Sequence, residues 1–245
     1  LGLICSCSPD MSSGVIRAPA HVVSVPQRGG EKGKFRVDLR IWDDGEGFEL
    51  RFGDRIVLRH APDCPAVVIA HGAPSIAMYR GNFRIEDAPV GHLAPTRFHH
   101  NGGILELLHD GQPVARLELG EGRFTLRAVV PGYDRLWVNF HAEAGEAVWG
   151  GGEQMSYLAL GGRSFSMWTS EPGVGRDKST ELTRQMDDTG MAGGDYWNTN
   201  YPQPTFLTSR WLALHLDASC YSVLDFTDPA RHRVEVWFSE ARFEC

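Results

Sequence analysis

A period-two alternation of apolar and polar residues recurs along this chain and constrains its fold to antiparallel β-structure. In Phe35–Ile41 every second residue is apolar and the residues between are charged. Successive side chains of a strand point to opposite faces, so such a segment buries one face and exposes the other. The same pattern predicts strands at Phe48–Phe52, Arg55–Leu58, Ile104–Leu108, Val114–Leu119, Arg123–Val129, Leu136–His141, Pro204–Thr208, Trp211–Leu216, Tyr221–Phe226 and Arg233–Phe238.

Turn-forming residues separate these segments. Asp110-Gly111 stands between two of them and predicts a hairpin that joins Ile104–His109 to Gln112–Leu119. Thr180–Asp188, with Thr180 or Ser179 as a candidate N-cap, predicts one short helix. Short strands at a spacing of roughly 8–12 residues indicate an all-β fold, an antiparallel β-sandwich or barrel with long irregular loops.

Composition and charge exclude several classes of function. The 245 residues are 42% hydrophobic and 10% aromatic, enough for the packed core of one domain. The net charge of −7 argues against nonspecific nucleic-acid binding, and no apolar run approaches the roughly 20 residues of a membrane helix. The five cysteines lack zinc-type spacing and are expected to be reduced, which favours a cytoplasmic location. We therefore expect no nucleic acid, membrane, metal or cofactor partner.

The two ends of the sequence predict an arm and a truncation. Leu1–Ile4 is apolar but follows no basic residue, so it is a poor secretion signal, and Met11 is the first methionine. Prolines and glycines predict that residues 1–34 form a partly disordered N-terminal arm, and residues 35–245 a β-sandwich domain. Cys245 stands inside a strand-like pattern that begins at Val234, which indicates a truncated chain.

The stretch Trp149–Tyr201 departs from the alternation and is the expected place for chemistry. It holds 10 glycines and several aromatic residues. Irregular segments longer than roughly 12–15 residues are uncommon in compact domains and are usually functional. Aromatic faces can pack on sugar rings, and Glu153, Gln154, Asp195 and Asn198 can bind hydroxyl groups. Burial of the aromatic residues beneath a long loop is the alternative.

Gly173–Lys178 is a second candidate within this stretch. Its closely spaced glycines would let backbone N–H groups face an oxyanion, and Arg176 would add a planar bidentate donor. A surface loop with a solvated arginine is the alternative. Lys178 takes the place of the third glycine of a dinucleotide-binding loop, so nucleotide binding is excluded. His99-His100 predicts no metal site, because neighbours on a strand point to opposite faces.

Three ordered motifs resemble a known family. They are Gly150-Gly151-Gly152-Glu153-Gln154-Met155-Ser156-Tyr157, then Gly162–Arg176, which includes Trp168, and finally Ala192-Gly193-Gly194-Asp195-Tyr196-Trp197 with Tyr201–Phe206. This order resembles the N-terminal domain of glycoside hydrolase family 31, and within it the sulfoquinovosidase-like α-glycosidases. The resemblance is strongest over Trp149–Phe226.

The resemblance implies a β-sandwich of galactose-mutarotase-like type, followed by a (β/α)8 barrel that carries both catalytic aspartates. It implies a retaining α-glycosidase whose catalytic half is missing from this chain, so no catalytic residue is assigned here and Asp225 is a strand residue. The expected partners are an α-glycoside sugar substrate and the catalytic barrel of the same polypeptide. A sandwich loop leans over the barrel mouth in this family, which makes Trp168, Arg176, Glu153 and Gln154 the candidate substrate-binding residues.

Two functions from other classes stay open beside a substrate-shaping domain that is inactive by itself. A freestanding carbohydrate-binding β-sandwich would work without a barrel, and measurable affinity of the chain for a monosaccharide would favour it. Mutarotase activity follows from fold analogy alone, and no acid/base pair in the sequence supports it.

Overall fold

The computed structural model describes residues 19–24, 37–42, 44–79, 82–190 and 192–245. Within them the helix α1 spans Glu181–Gly190. The strands in chain order are β1 (Pro19–Ser24), β2 (Val37–Trp42), β3 (Phe48–Phe52), β4 (Arg55–His60), β5 (Val67–His71), β6 (Ser75–Tyr79), β7 (Asn82–Glu86), β8 (Val90–Leu93), β9 (Arg97–Asn101), β10 (Ile104–His109), β11 (Gln112–Gly120), β12 (Arg123–Ala128), β13 (Arg135–His141), β14 (Val148–Gly152), β15 (Ser164–Met167), β16 (Pro202–Thr208), β17 (Ala213–Asp217), β18 (Ser222–Asp225), β19 (Arg231–Val236) and β20 (Glu240–Glu244).

These strands form two large antiparallel sheets and one separate hairpin. The first sheet has the order β1-β2-β3-β4-β13-β19-β18-β15, with β5 paired to β13 and β8 paired to β5. The second has the order β14-β16-β17-β20-β12-β11-β10-β9, and β6 pairs only with β7. The apolar faces of both sheets contribute to one buried core. The predicted all-β antiparallel sandwich is therefore confirmed, while its galactose-mutarotase-like subtype stays a prediction.

The alternation in the sequence accounts for the burial pattern of the strands. On β2, Val37, Leu39 and Ile41 are buried and the residues between them are half-buried, and β3 repeats this pattern. The strand β1 lies within the predicted arm and pairs antiparallel with β2, so the first sheet begins before the predicted boundary at residue 35. The other residues of the arm, including Cys5 and Cys7, lie outside the described residues.

The predicted hairpin at Asp110-Gly111 is confirmed. β10 and β11 are antiparallel neighbours that reach the turn at His109↔Gln112. Asp110 has a φ of +48° and Gly111 a φ of +76°. Positive φ at both central residues is typical of a type I′ turn, whose twist matches that of the strands it joins. β9 extends the pair into a meander.

The short predicted helix is also present, two residues longer at its C-terminal end than the pattern indicates. Thr180 is its N-cap, because Oγ1 of Thr180 accepts a hydrogen bond from the backbone N–H of Thr183 at 3.4 Å. Thr183 is the residue of α1 that is buried. The helix thus lies on the surface of the sandwich with one small side chain facing inward.

Phe140 on β13 stands between the two sheets. Its ring centroid lies 5.2 Å from that of Phe243, 6.1 Å from that of Phe124 and 6.3 Å from that of Phe206, all on strands of the second sheet. The four rings are buried. Their tilted and edge-to-face contacts add to the burial of apolar area and hold the sheets in one relative position.

His60, at the end of β4, is a buried histidine that fits its surroundings only when neutral. Nδ1 accepts a hydrogen bond from the backbone N–H of Ala66 at 3.2 Å, which leaves Nε2 to donate to the carbonyl of Pro95 at 3.1 Å. The ring stacks on Phe48 and meets the edge of Phe98. Burial lowers the pKa of His60 from 6.5 to about 4, although the bond to Pro95 opposes the change.

We expect Phe140→Ala to lower the free energy of unfolding by about 4 kcal/mol, because it removes a ring that contacts three others and leaves a cavity. Urea unfolding monitored by circular dichroism measures this loss. Phe238→Ala is the control, since Phe238 is 56% exposed and should change stability by less than about 1 kcal/mol. Equal losses in the two variants would contradict the central position of Phe140.

We expect His60 to make the fold sensitive to mild acid. Its folded-state pKa lies below its unfolded value, so its stabilisation is complete above pH 6.5 and is lost as the pH falls through 4. The loss amounts to about 3 kcal/mol near pH 4. Urea unfolding at several pH values should show this slope in the parent and in His99→Gln, whose imidazole is exposed. His60→Gln should lack it, and an unchanged slope in that variant would rule out His60 as its source.

Candidate functional site

Glycines carry the chain from β14 into the irregular segment. Gly150 and Gly152 have φ values of +127° and +81°. A Cβ atom on Gly150 would overlap the carbonyl oxygen of Thr205, and one on Gly152 would overlap that of Tyr201. Glycine is therefore required for β14 to approach β16 this closely, and the pairing shifts register between the two glycines.

The predicted residues Glu153 and Gln154 follow directly after this bulge. The backbone N–H of Glu153 donates to the carbonyl of Tyr201 at 3.0 Å, and its side chain is exposed. Nε2 of Gln154 donates to the carbonyl of Gly151 at 2.7 Å, which fixes the amide. Oε1 of Gln154 is buried without a hydrogen-bond partner. Such an acceptor costs free energy unless a bound group supplies a donor.

Arg176 lies in the left-handed backbone region with a φ of +51°. Its Nη2 donates to Sδ of Met155 at 2.9 Å, which joins the Arg176 loop to the segment after Gln154. No carboxylate of the described residues pairs with this guanidinium. Since a thioether is a weak acceptor, most of the five N–H donors of Arg176 are free to bind solvent or an anion.

Backbone contact between two glycines holds the loop that carries Arg176. A Cβ atom on Gly173 would overlap the backbone of Gly194. The N–H of Val174 donates to the carbonyl of Ala192 at 2.9 Å, and the N–H of Gly194 donates back to Val174 at 3.2 Å. These two hydrogen bonds join the residues before α1 to the residues after it.

Helix α1 supports the same loop from the other side. Oγ1 of Thr183 accepts the backbone N–H of Asp177 at 3.3 Å, and a Cβ atom on Gly175 would overlap that oxygen. Asp177 accepts two hydrogen bonds from Ser179, which lower the pKa of Asp177. The carboxylate is therefore satisfied within its own turn and does not neutralise the neighbouring arginine.

Trp168 lies in a separate groove with a volume of about 590 Å³. Its ring centroid is 5.2 Å from that of Phe83 on β7 and 5.7 Å from that of Tyr221. The hydroxyl of Tyr221 donates to Oγ of Ser166 at 2.9 Å, and burial raises the pKa of Tyr221. None of the residues that line the groove is charged; its largest members are Phe83, Met167, Trp168, Pro202, Pro204 and Tyr221.

The structure brings three of the four predicted residues into one cluster. Arg176 contacts the segment that carries Glu153 and Gln154, whereas Trp168 makes no hydrogen bond or ring contact with these three. The two regions adjoin through Pro202, which lines the groove and follows the residue whose carbonyl accepts from Glu153. We call them the Arg176 cluster (Glu153, Gln154, Met155 and Arg176) and the Trp168 groove.

Two residues that the sequence offers as sugar-binding groups are engaged within the loop. Asn198 is buried, donates from Nδ2 to Oγ of Ser170 at 2.7 Å and accepts the backbone N–H of Asp195. Oδ1 of Asp195 accepts the N–H of Tyr196 at 2.8 Å. The hydroxyl of Tyr196 donates to the carbonyl of Ser164 at 2.6 Å. In this part of the stretch, these polar groups therefore make hydrogen bonds within the loop itself.

Sequence reasoning missed Phe83 and Tyr221 as members of the Trp168 groove. Phe83-Arg84-Ile85-Glu86 does alternate, and this alternation was the available signal for the strand β7. Nothing local indicates that Phe83 contacts Trp168, because the two residues lie far apart in the sequence.

Other chemistry is limited in the part of the chain that the structure describes. Asp225 ends β18, and its Oδ1 accepts from the backbone and the hydroxyl of Thr227, a turn contact. The described residues include no group of three or more metal-ligating side chains, and Cys64, Cys220 and Cys245 are free thiols. No helix in the described ranges has the length and apolarity needed to span a membrane.

Comparison with known proteins gives strong matches at the level of sequence. A scan against protein-family models finds none that matches. The chain is 48% identical over 201 residues to a sulfoquinovosidase of Agrobacterium fabrum, a match that covers 81% of this chain and 30% of the relative. It is 36% identical over 220 residues to a sulfoquinovosidase of Escherichia coli, covering 85% of this chain and 32% of the relative.

A solved structure supports the same relationship. A GH31 family sulfoquinovosidase from E. rectale, in complex with the aza-sugar inhibitor IFGSQ, matches with a TM-score of 0.71 and 36% sequence identity. The match covers 82% of this chain and 31% of that protein.

Fold and site together define a β-sandwich whose irregular loops carry an arginine cluster and an uncharged aromatic groove. The predicted resemblance is confirmed: about four-fifths of the chain is similar to sulfoquinovosidases, one of which is a solved structure of glycoside hydrolase family 31. It spans about 30% of the length of the curated relatives that it matches.

We expect Gly173→Ala to open the Arg176 loop, because the added Cβ must displace the backbone of Gly194. Amide hydrogen exchange at Val174 and Gly194, which donate the bridging bonds, should become about tenfold faster or more. Gly161→Ala is the control, since a Cβ atom there meets open space. Unchanged exchange in Gly173→Ala would show that the loop does not depend on this contact.

Proposed function

We propose that this chain is the N-terminal, substrate-shaping domain of a retaining α-glycosidase of the sulfoquinovosidase type, which hydrolyses α-glycosides in carbohydrate metabolism. The observation that carries the proposal is the 48% identity to the Agrobacterium fabrum sulfoquinovosidase. We assign no catalytic residue to this chain, because family 31 places both catalytic aspartates on a barrel of the same polypeptide. A cytoplasmic location belongs to the same proposal.

Arg176 supplies the best support for an anionic sugar. Its guanidinium has no carboxylate partner among the described residues, and its backbone is held in the left-handed region, which costs about 1 kcal/mol. An arginine that is positioned at a cost and left unpaired is suited to bind a planar or tetrahedral anion such as a sulfonate. We assign Arg176 the part of a helper to the binding groups of the barrel.

The other three residues accept hydrogen bonds or offer an aromatic face to the sugar in this proposal. The exposed carboxylate of Glu153 accepts hydrogen bonds from sugar hydroxyls. Oε1 of Gln154 is buried, so it accepts a sugar hydroxyl only after a side-chain movement that exposes it. Trp168 offers an aromatic face to its groove. Pro202 lines the groove and follows Tyr201, whose carbonyl accepts the backbone N–H of Glu153, so we place the cluster and the groove on one ligand.

A freestanding carbohydrate-binding module is the second candidate. The Trp168 groove favours it, because a groove with an aromatic lining can pack on a sugar ring. Calorimetry of the 245-residue chain with sulfoquinovose and glucose separates the two functions. A substrate-shaping domain should show no measurable affinity for either monosaccharide, since part of its sugar site lies on another domain. Measurable binding by a stable monomer would favour the module.

A chimera tests the proposed function directly. The chain replaces the matched 201 residues of the Agrobacterium fabrum sulfoquinovosidase, and hydrolysis of an aryl α-sulfoquinovoside is measured for the chimera and for the chain by itself. We expect an active chimera and an inactive chain. A folded but inactive chimera would contradict the proposal, as would turnover by the chain that substitution of one of its own carboxylates abolishes.

Arg176→Ala in the active chimera tests the anion-binding role. We expect kcat/KM for the sulfoquinovoside to fall about 10- to 100-fold, the worth of a charge-assisted hydrogen bond. Arg184→Ala is the matched control, because Arg184 is exposed on α1 and pairs only with Glu181. Equal losses of kcat/KM in the two alanine variants would contradict a role of Arg176 in anion binding.

A further inference from the structure

The hairpin of β6 and β7 has one apolar face. Its register pairs Ile76 with Ile85 and Met78 with Phe83. Residues directly opposite each other in an antiparallel pair place their side chains on the same face, so these four apolar groups form one surface. Among the described strands, the hairpin pairs with neither large sheet.

Buried charge fixes the base of this hairpin. Asp87, which follows β7, accepts Nε of Arg135 at 2.6 Å and the backbone N–H of Ala73 at 2.9 Å. Ala73 lies just before β6, so one carboxylate ties both ends of the hairpin to β13. The side chains of Arg135 and Asp87 are 3% and 8% exposed. The hairpin therefore leaves the sandwich in a defined direction.

Phe83, on the β7 side of the apolar face, lines the Trp168 groove, whereas Ile76 and Met78 on the β6 side do not. Phe83 meets Trp168 edge to face and lines the groove. Met78 and Ile76, on the same face, are 63% and 49% exposed. Beside Phe83, the apolar face of the hairpin is therefore exposed to solvent at Met78 and Ile76.

The groove is neutral throughout, which determines what it can bind. None of its lining residues carries a formal charge. Burial raises the pKa of both Cys220 and Tyr221, so the thiol and the phenol stay protonated at neutral pH. An anion placed here would lose its hydration without a counter-charge, whereas an apolar or aromatic group would gain from burial.

We propose that the Trp168 groove and the apolar face of the β6–β7 hairpin form an aglycone subsite, which binds the uncharged, apolar group attached to the sugar. Phe83 and Met78 are its specificity-determining residues, and Trp168 with Tyr221 forms its floor. This inference rests on the proposed function and deepens it: the Arg176 cluster takes the anionic sugar, and the groove takes the group that leaves.

Saturation-transfer NMR on the 245-residue chain tests the subsite with two neutral probes, phenyl α-D-glucopyranoside and methyl α-D-glucopyranoside. We expect saturation transfer to the phenyl protons and none to the methyl glycoside. Phe83→Ala and Met78→Ala should each raise the Kd of the phenyl glycoside about three- to tenfold, the worth of one aromatic–aromatic or sulfur–aromatic contact. Met78 is exposed, so its substitution leaves the fold intact even if Phe83→Ala disturbs the hairpin.

Leu182→Ala is the control, because Leu182 is an apolar side chain of α1 that is 53% exposed and does not line the groove. It should leave the Kd unchanged. Equal binding of both glycosides, no binding of the phenyl glycoside, or a Kd that Met78→Ala does not change would each overturn the subsite. The chimera experiment is independent of these results: an active chimera whose hairpin variants bind like the parent rejects the subsite and retains the proposed function.

Discussion

The contact between the two sheets at Phe140 is the constraint on which the rest of the structure depends. Phe140 lies on β13, which pairs with β4, β5 and β19, so a shift at this ring would move four strands of the first sheet. On the facing side it meets Phe206 of β16, the strand that pairs with β14. Since packed rings have few alternative arrangements, this contact also fixes where β14 ends and the irregular segment begins.

Beyond β14, backbone packing replaces the packing of large side chains. Gly152 against Tyr201 and Gly173 against Gly194 are approaches that any side chain would prevent. Part of the glycine surplus, 28 in the whole chain, is thus a requirement of this loop and not a sign of disorder. Arg176 departs from that rule, because it adopts a glycine-like conformation while keeping a long cationic side chain. Strain that is confined to one unpaired, charged residue is the pattern expected where structure positions a group for a ligand.

The sequence predicts those parts of the fold in which burial itself creates the pattern. β3 is predicted to the residue and the β10–β11 hairpin down to its turn, because alternation and turn chemistry are local properties. β14 carries three glycines with no side chain to alternate, so its pairing with β16 cannot be seen in the sequence. The same distinction between local pattern and tertiary packing applies to the candidate site. The resemblance names Arg176 and Gln154 together as candidate substrate-binding residues, and Arg176 contacts Met155, the neighbour of Gln154. The contact of Phe83 with Trp168 arises from tertiary packing.

In the proposed function, the contrast in charge between the two adjoining regions is what orients a ligand with unlike ends. A sulfonate in the Trp168 groove would give up its hydration for no compensating charge, and an apolar group beside Arg176 would bury little surface while displacing water from the guanidinium. The reverse placement avoids both costs. Orientation then follows from a difference in desolvation between two fixed regions, and no single hydrogen bond has to determine it. Glycine contacts hold the loop that carries Arg176, and the Asp87–Arg135 pair holds the hairpin that carries Phe83, so each region is anchored to the sandwich separately.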